Sequence, residues 1–261
     1  MERNLIKYDL KKMLKVLVIY YILSILVGGI SRFFNCFNNI AIMKILYTIF
    51  SSIEYAIWGG IFVQTFVRVI LRFNMNFYGD ESYLTHTLPV TKKQLLISKY
   101  ISGLLVILSS VLVLSVSVFI MFYSKTNIEN LKQLLSASTI GLNISTGMFL
   151  TLIVITFFAE ICAIMSMCFS GIIIGKRFNT KKNMIATFVT IGFYIVSVIV
   201  MLIIATIVFA CMGNAGALWS NNISGSSLTT IFIVAIVTYL VLAIGFFFVS
   251  IWQFEKGVNV D

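Results

Sequence analysis

Polar positions along this chain are sparse and gathered into short clusters, and the stretches between them are apolar for longer than any ordinary strand. Six such runs stand out, at about 16–34, 48–71, 101–123, 147–174, 184–211 and 228–252. Roughly 20 consecutive apolar residues cross a bilayer as a helix. A transmembrane barrel would instead show short alternating segments, so the pattern predicts an all-α polytopic membrane protein with six transmembrane helices. Ahead of the first run, Ile6, Leu10, Met13, Leu14 and Leu17 recur at helical spacing, while Arg3, Lys7, Lys11 and Lys15 form a basic ridge. This is the signature of an amphipathic helix lying in the headgroup plane, an interfacial element over residues 1–15.

The most informative polar break is GDESYLTHTLPVTKKQLLISKY, Gly79 to Tyr100, which holds the only proline and the only histidine. Pro89 pushes Leu88 out of helical geometry and so ends a short helix that begins near Asp80, a good N-cap. Thr91 and Gln94 then form a capping box, with Val90 and Leu95 placed as a hydrophobic staple, so a new helix starts at Thr91 and runs into the third span. Residues 73–100 therefore read as a rigid elbow. A second break, GKRFNTKKN at residues 175–183, is basic and offers Thr180 as a cap for the fifth span. The uncharged stretch after Met212 suits either a surface loop or a re-entrant segment.

Composition agrees with this layout: of 261 residues, 60% are hydrophobic and 11% charged, with a mean hydropathy of +1.04, which a water-soluble globule could not bury. A net charge of +10 raises nucleic acid as a partner, but its placement excludes that reading. Arg3, Lys7, Lys11, Lys12 and Lys15 precede the first span; Arg68, Arg72, Lys92, Lys93 and Lys99 flank the elbow; Lys176, Arg177, Lys181 and Lys182 follow the fourth span; Lys256 is in the tail. Only Arg32, Lys44, Lys125 and Lys132 fall on the other side. By the positive-inside rule, both termini and the elbow are cytoplasmic. The first apolar run lacks a small-residue cleavage site and is expected to remain as a span. Cys36 and Cys211 both fall near the outer surface, where pairing is open, and Cys162 and Cys168 read as packing residues.

Motifs for chemistry are scarce. GIIIGK, Gly171 to Lys176, has three residues between its glycines where a phosphate-binding loop needs four, and Arg177 stands where that loop needs Ser or Thr. Gly171 and Gly175 read better as a small-residue packing face. His86 has no partners for a metal site, and no nucleophile has a base nearby, so no catalytic residue and no enzyme are expected. Charge inside the spans is more telling, because ionised groups in hydrocarbon are costly. Glu54 and Glu160 lie roughly 21 and 24 Å along their helices from the cytoplasmic ends. Glu54 shares a helical face with Ser51, Trp58, Thr65, Arg68 and Arg72, and Thr187, Thr190, Tyr194, Ser197 and Met201 form a comparable stripe on the fifth span. Either stripe could line a pathway or bond to neighbouring helices. Gly103, Ser110 and Ser117, seven apart, read as a packing seam.

The basic N-terminal helix, the six spans and ESYLTHTLPVTKKQLLISK between spans two and three resemble the permease subunits of bacterial ABC-2 type transporters. The layout covers the whole chain, residues 1–261, as one permease domain, while the motif covers only the elbow. The resemblance implies an exporter of the bacterial cell membrane in which two permease subunits, here a homodimer, work with two copies of a separate ATPase that binds ATP and magnesium. This chain itself would hold no cofactor. The resemblance places a coupling helix on Asp80 to Thr87, with Asp80, Glu81, Tyr83, Leu84 and His86 facing the ATPase, and a second contact at Lys176, Arg177 and Asn179. It assigns the pathway to spans two and five, whose stripes offer Ser51, Glu54, Trp58, Thr65, Tyr194 and Ser197 as candidates, and Glu160 on span four joins them as the second charge inside a span. Substrates of such exporters include peptide toxins, lantibiotics and drugs, and the two glutamates suit cationic or amphipathic ones. Two other classes remain open: a gradient-driven transporter or channel with Glu54 and Glu160 as ion or proton ligands, and a membrane scaffold or sensor.

Overall fold

A computed structural model of the chain describes residues 2–256 apart from 38, 80, 88, 125–126, 131, 134, 136–143, 179 and 213–223. Seven helices run in order through the described residues: α1 (Glu2–Cys36), α2 (Ala41–Tyr78), α3 (Ser82–Thr87), α4 (Lys92–Phe122), α5 (Thr146–Gly175), α6 (Lys182–Cys211) and α7 (Gly225–Glu255). All but α3 are long and apolar enough to cross a membrane, as the six apolar runs require. The helices group into two compact units, Met1–Ile128 and Glu129–Asp261.

In the first unit α1 packs along both α2 and α4. The interfacial element and the first span are one unbroken helix of 35 residues, about 52 Å long at 1.5 Å per residue. The apolar stripe of the element expected to lie in the headgroup plane includes Met13 and Leu17, which are 3% and 0% exposed and belong to the core of the unit. At one end of α2, Phe73 and Phe77 stack edge to face, 4.9 Å between centroids, and both are buried. Toward the other end of the unit, Arg32 donates to the Ile120 carbonyl (3.1 Å) and lies over the Tyr123 ring.

The elbow forms as its punctuation requires. The α2 helix stops at Gly79, whose N–H donates to Met75 O (3.2 Å), and α3 ends two residues before Pro89. The α4 helix opens on the capping box: Thr91 Oγ1 accepts from the Gln94 N–H (3.3 Å), and Gln94 Oε1 accepts from the Thr91 N–H (3.1 Å). Asp80, read as the cap of the short helix, lies outside the described residues.

The second unit is built on α5, which packs against α7 and α6. Small residues set the approach of α5 and α6. A Cβ on Gly175 would lie 2.3 Å from Ala186 Cα and 2.4 Å from Ala186 N, and one on Gly171 would lie 2.1 Å from Thr190 Oγ1. Only hydrogen fits at Gly175, and at Gly171 a side chain would have to displace Thr190, which is the small-residue face that the spacing predicts. The start of α6 corrects one expectation. Its N-cap is Lys181, in left-handed geometry (φ 51°) with no side-chain cap bond, so Thr180 stands one position too early to cap the helix. All four cysteines are free, Cys36 and Cys211 among them, and most of the uncharged stretch after Met212 lies outside the described residues.

Candidate functional site: an ion-paired elbow in the first unit

The site begins with Asp9 on α1. It stands four residues before Met13 and eight before Leu17 on the same buried stripe, and it is itself fully buried. An isolated carboxylate there would be strongly unfavourable, and three donors from two other helices meet it. Arg72 Nε donates to Asp9 Oδ1 at 2.9 Å, Asn76 Nδ2 donates to the same oxygen at 3.1 Å, and Lys99 Nζ donates to Oδ2. Arg72 and Asn76 are four apart on α2, so one helical face delivers both. Arg72 and Lys99 are 7% and 6% exposed.

Arg72 carries the network outward. Its Nη1 donates to Glu81 Oε2 at 2.7 Å, and Lys12 Nζ on α1 donates to Glu81 Oε1. The Arg72 guanidinium and the Lys12 ammonium both lie over the Tyr8 ring, 5.3 and 5.1 Å from its centroid. Burial opposes ionisation of Glu81 and is the largest single influence on it. The Lys12 hydrogen bond, then the charge and hydrogen bond of Arg72, together outweigh it and hold the carboxyl below its ordinary value of 4.5. Glu81 immediately precedes α3, and its carbonyl accepts from Thr85 N (3.0 Å) and Thr85 Oγ1 (2.9 Å) inside that helix. A continuous chain of charge-assisted bonds thus runs from the root of the short helix to α1, α2 and α4. Beyond that root, Ser82 and Thr85 are buried, while Tyr83 is 77% exposed.

Of the residues expected to face an ATPase, Glu81 points its carboxylate inward and Tyr83 outward. The side chains of Leu84 and His86, and residues Asp80 and Asn179, lie outside the described residues. Lys176 and Arg177 belong to the second unit, where Lys176 is half-buried and Arg177 donates to Gln253 of α7.

The polar stripe on α2 is held by neighbouring helices. Glu54, fully buried, accepts from Ser24 Oγ of α1 (2.7 Å) and from Ser117 Oγ of α4, and its Oε2 has no hydrogen-bond partner among the described residues. Trp58 Nε1 donates to Ser117 (2.9 Å). Thr65 meets Ser110 (2.7 Å), which in turn meets Tyr21 of α1 (2.6 Å). Ser51 is buried and bonds the Thr48 carbonyl of its own helix. Gly103, Ser110 and Ser117 are all buried along α4, the seam that their spacing predicts. In the second unit Glu160 is half-buried and, with the half-exposed Tyr194, lies within electrostatic range of Tyr239 on α7. Ser197 is buried against the Tyr194 carbonyl (2.7 Å).

Sequence reasoning missed Asp9, Asn76 and Ser24, took Lys12 and Lys99 only as topology charges, and placed Arg72 on the polar stripe of the second span without finding its partners. The signal for Asp9 was present: an acid at helical register with Met13 and Leu17, on the apolar side of a basic helix. No protein-family model matches the chain, and no curated protein or solved structure matches it. Fold and site together are those of a helical protein with six span-like helices, consistent with a multi-pass membrane protein, and with a buried ionic network at the root of a short helix.

Proposed function

We propose that this chain is the permease subunit of an ATP-driven ABC exporter of the bacterial cell membrane, coupled to a separate ATPase through the elbow. It would act as a homodimer on a cationic or amphipathic substrate, a peptide toxin, lantibiotic or drug. The supporting observation is the mounting of Tyr83, an exposed aromatic on a helix of six residues whose root, Glu81, is ion-paired to α1 and α2. A partner that seizes Tyr83 pulls on spans rather than on a slack loop, and short packed elements of this kind transmit discrete motions. On the far side of α3, Pro89 and the Thr91 capping box fix where α4 begins. ATP and magnesium would belong to the partner, and both termini would be cytoplasmic.

The test replaces Tyr83 and Leu84 together with Ala in the membrane-inserted chain. Co-purification with the ATPase is expected to fall about tenfold or more, the range of an exposed aromatic anchor at an interface, with insertion unchanged. A variant that keeps both the complex and coupled transport would remove the elbow as the docking point.

A further inference from the structure

The second unit carries its own basic end. Lys176 caps α5 and Arg177 follows it, Lys181 and Lys182 open α6, and Lys256 caps α7. Arg177 donates to Gln253, which holds the turn after α5 against the end of α7. Lys256 follows Gln253 by three positions and shares its side of the helix. Burial, and after it the charge of Lys182, hold the Lys176 ammonium below its ordinary value of 10.5, so positive groups are crowded here. Glu255 is the one acid in the described segments that form this end.

What lies beside these charges identifies the occupant. Val237, Val241, Ile244, Phe248 and Trp252 follow one another at spacings of three or four along α7, and each is more than half exposed. The next position in that register is Lys256, whose Nζ sits over the Trp252 ring, 3.2 Å from its centroid. An exposed hydrocarbon stripe of about 22 Å, closed by an indole and then by an ammonium, matches a lipid in order: acyl chain, interface, headgroup. Phe178, 50% exposed, stands directly after Arg177 and supplies a second apolar group at the same level.

We infer that this end of the second unit is a binding site for an anionic phospholipid. Its acyl chain lies along the α7 stripe, and its phosphate is held by Lys256 and Arg177, with Lys176 and Lys182 adding to the field. Basic groups at helix ends recognise such headgroups by charge and by hydrogen bonds to phosphate oxygens. The inference does not depend on the transport reading.

The experiment titrates the purified full chain in detergent with phosphatidylglycerol or phosphatidylcholine and counts retained lipid by native mass spectrometry. Phosphatidylglycerol is expected to be retained preferentially. The Arg177→Gln, Lys256→Gln double variant should lose that preference by roughly fivefold per charge removed, with its thermal unfolding midpoint unchanged. A Lys92→Gln, Lys93→Gln variant, which removes the same charge from the first unit, should keep the preference. Equal retention of both lipids, or equal loss in the two double variants, would overturn the site. So would a first double variant that keeps the lipid preference and instead loses a protein partner, since the surface would then be a protein contact.

Discussion

Asp9 stands in the least favourable surroundings of any acid in the first unit's network, fully buried and holding two cations that are themselves almost buried. Removing it would strand Arg72 and Lys99 away from water. Breaking a buried pair from one side costs about 3–5 kcal/mol, so Asp9→Ala should lower the unfolding midpoint of the detergent-solubilised protein sharply. Lys12→Ala should move it far less, because that side chain is 44% exposed and its pair with Glu81 is screened. Equal shifts for the two variants would show that the network does not carry the stability assigned to it. This residue also marks where the sequence stopped being readable. Arg72 is 63 positions away and Lys99 is 90, and in a linear reading both cations already had an occupation as topology signals. The Thr91 capping box was legible because both of its bonds close within three residues. Glu54 was legible as a buried charge in an apolar run, but which helices would answer it was not. Its serine partners lie 30 and 63 positions away, and serine in a span has no distinctive pattern.

At the scale of elements, the α5–α6 contact is governed by backbone proximity. A methyl at Gly175 would collide with the main chain of Ala186, which cannot rotate aside, whereas Gly192 on α6 has nothing within 4 Å of its would-be Cβ. Gly175→Ala should therefore force α6 away from α5 and destabilise by about 1–3 kcal/mol, the range for overpacking. Gly192→Ala should be neutral or mildly stabilising, since alanine suits a helix interior better than glycine does. Thermal unfolding of the two variants under identical conditions separates them, and a tolerated Gly175→Ala would place the helices farther apart than described. The glycine spacing announced this seam in advance. The left-handed start of α6 at Lys181 was not foreseeable, because nothing local favours that conformation in lysine over a cap by Thr180.

For the whole molecule, the division after Ile128 falls between two sets of three long helices, each with its own core. All of the ion pairs resolved around Asp9 and Glu81 lie before that point. Fragments 1–128 and 129–261, expressed together, should both accumulate in the membrane. Asp9→Ala should hasten protease digestion of the first fragment and leave the second unaffected; loss of both fragments together would show that the units depend on each other for stability. The same division bears on biosynthesis. Chains are made and inserted from the N-terminus, and domains tend to fold in that order. Lys99, the last member of the Asp9 network, is translated well before any residue of the second unit, so these buried charges can neutralise one another while half the protein is still unmade. A ribosome that stalled late in the second half would leave behind an N-terminal half already equipped with its ion pairs, and the cell's quality control would meet a settled unit in place of unpaired buried charges.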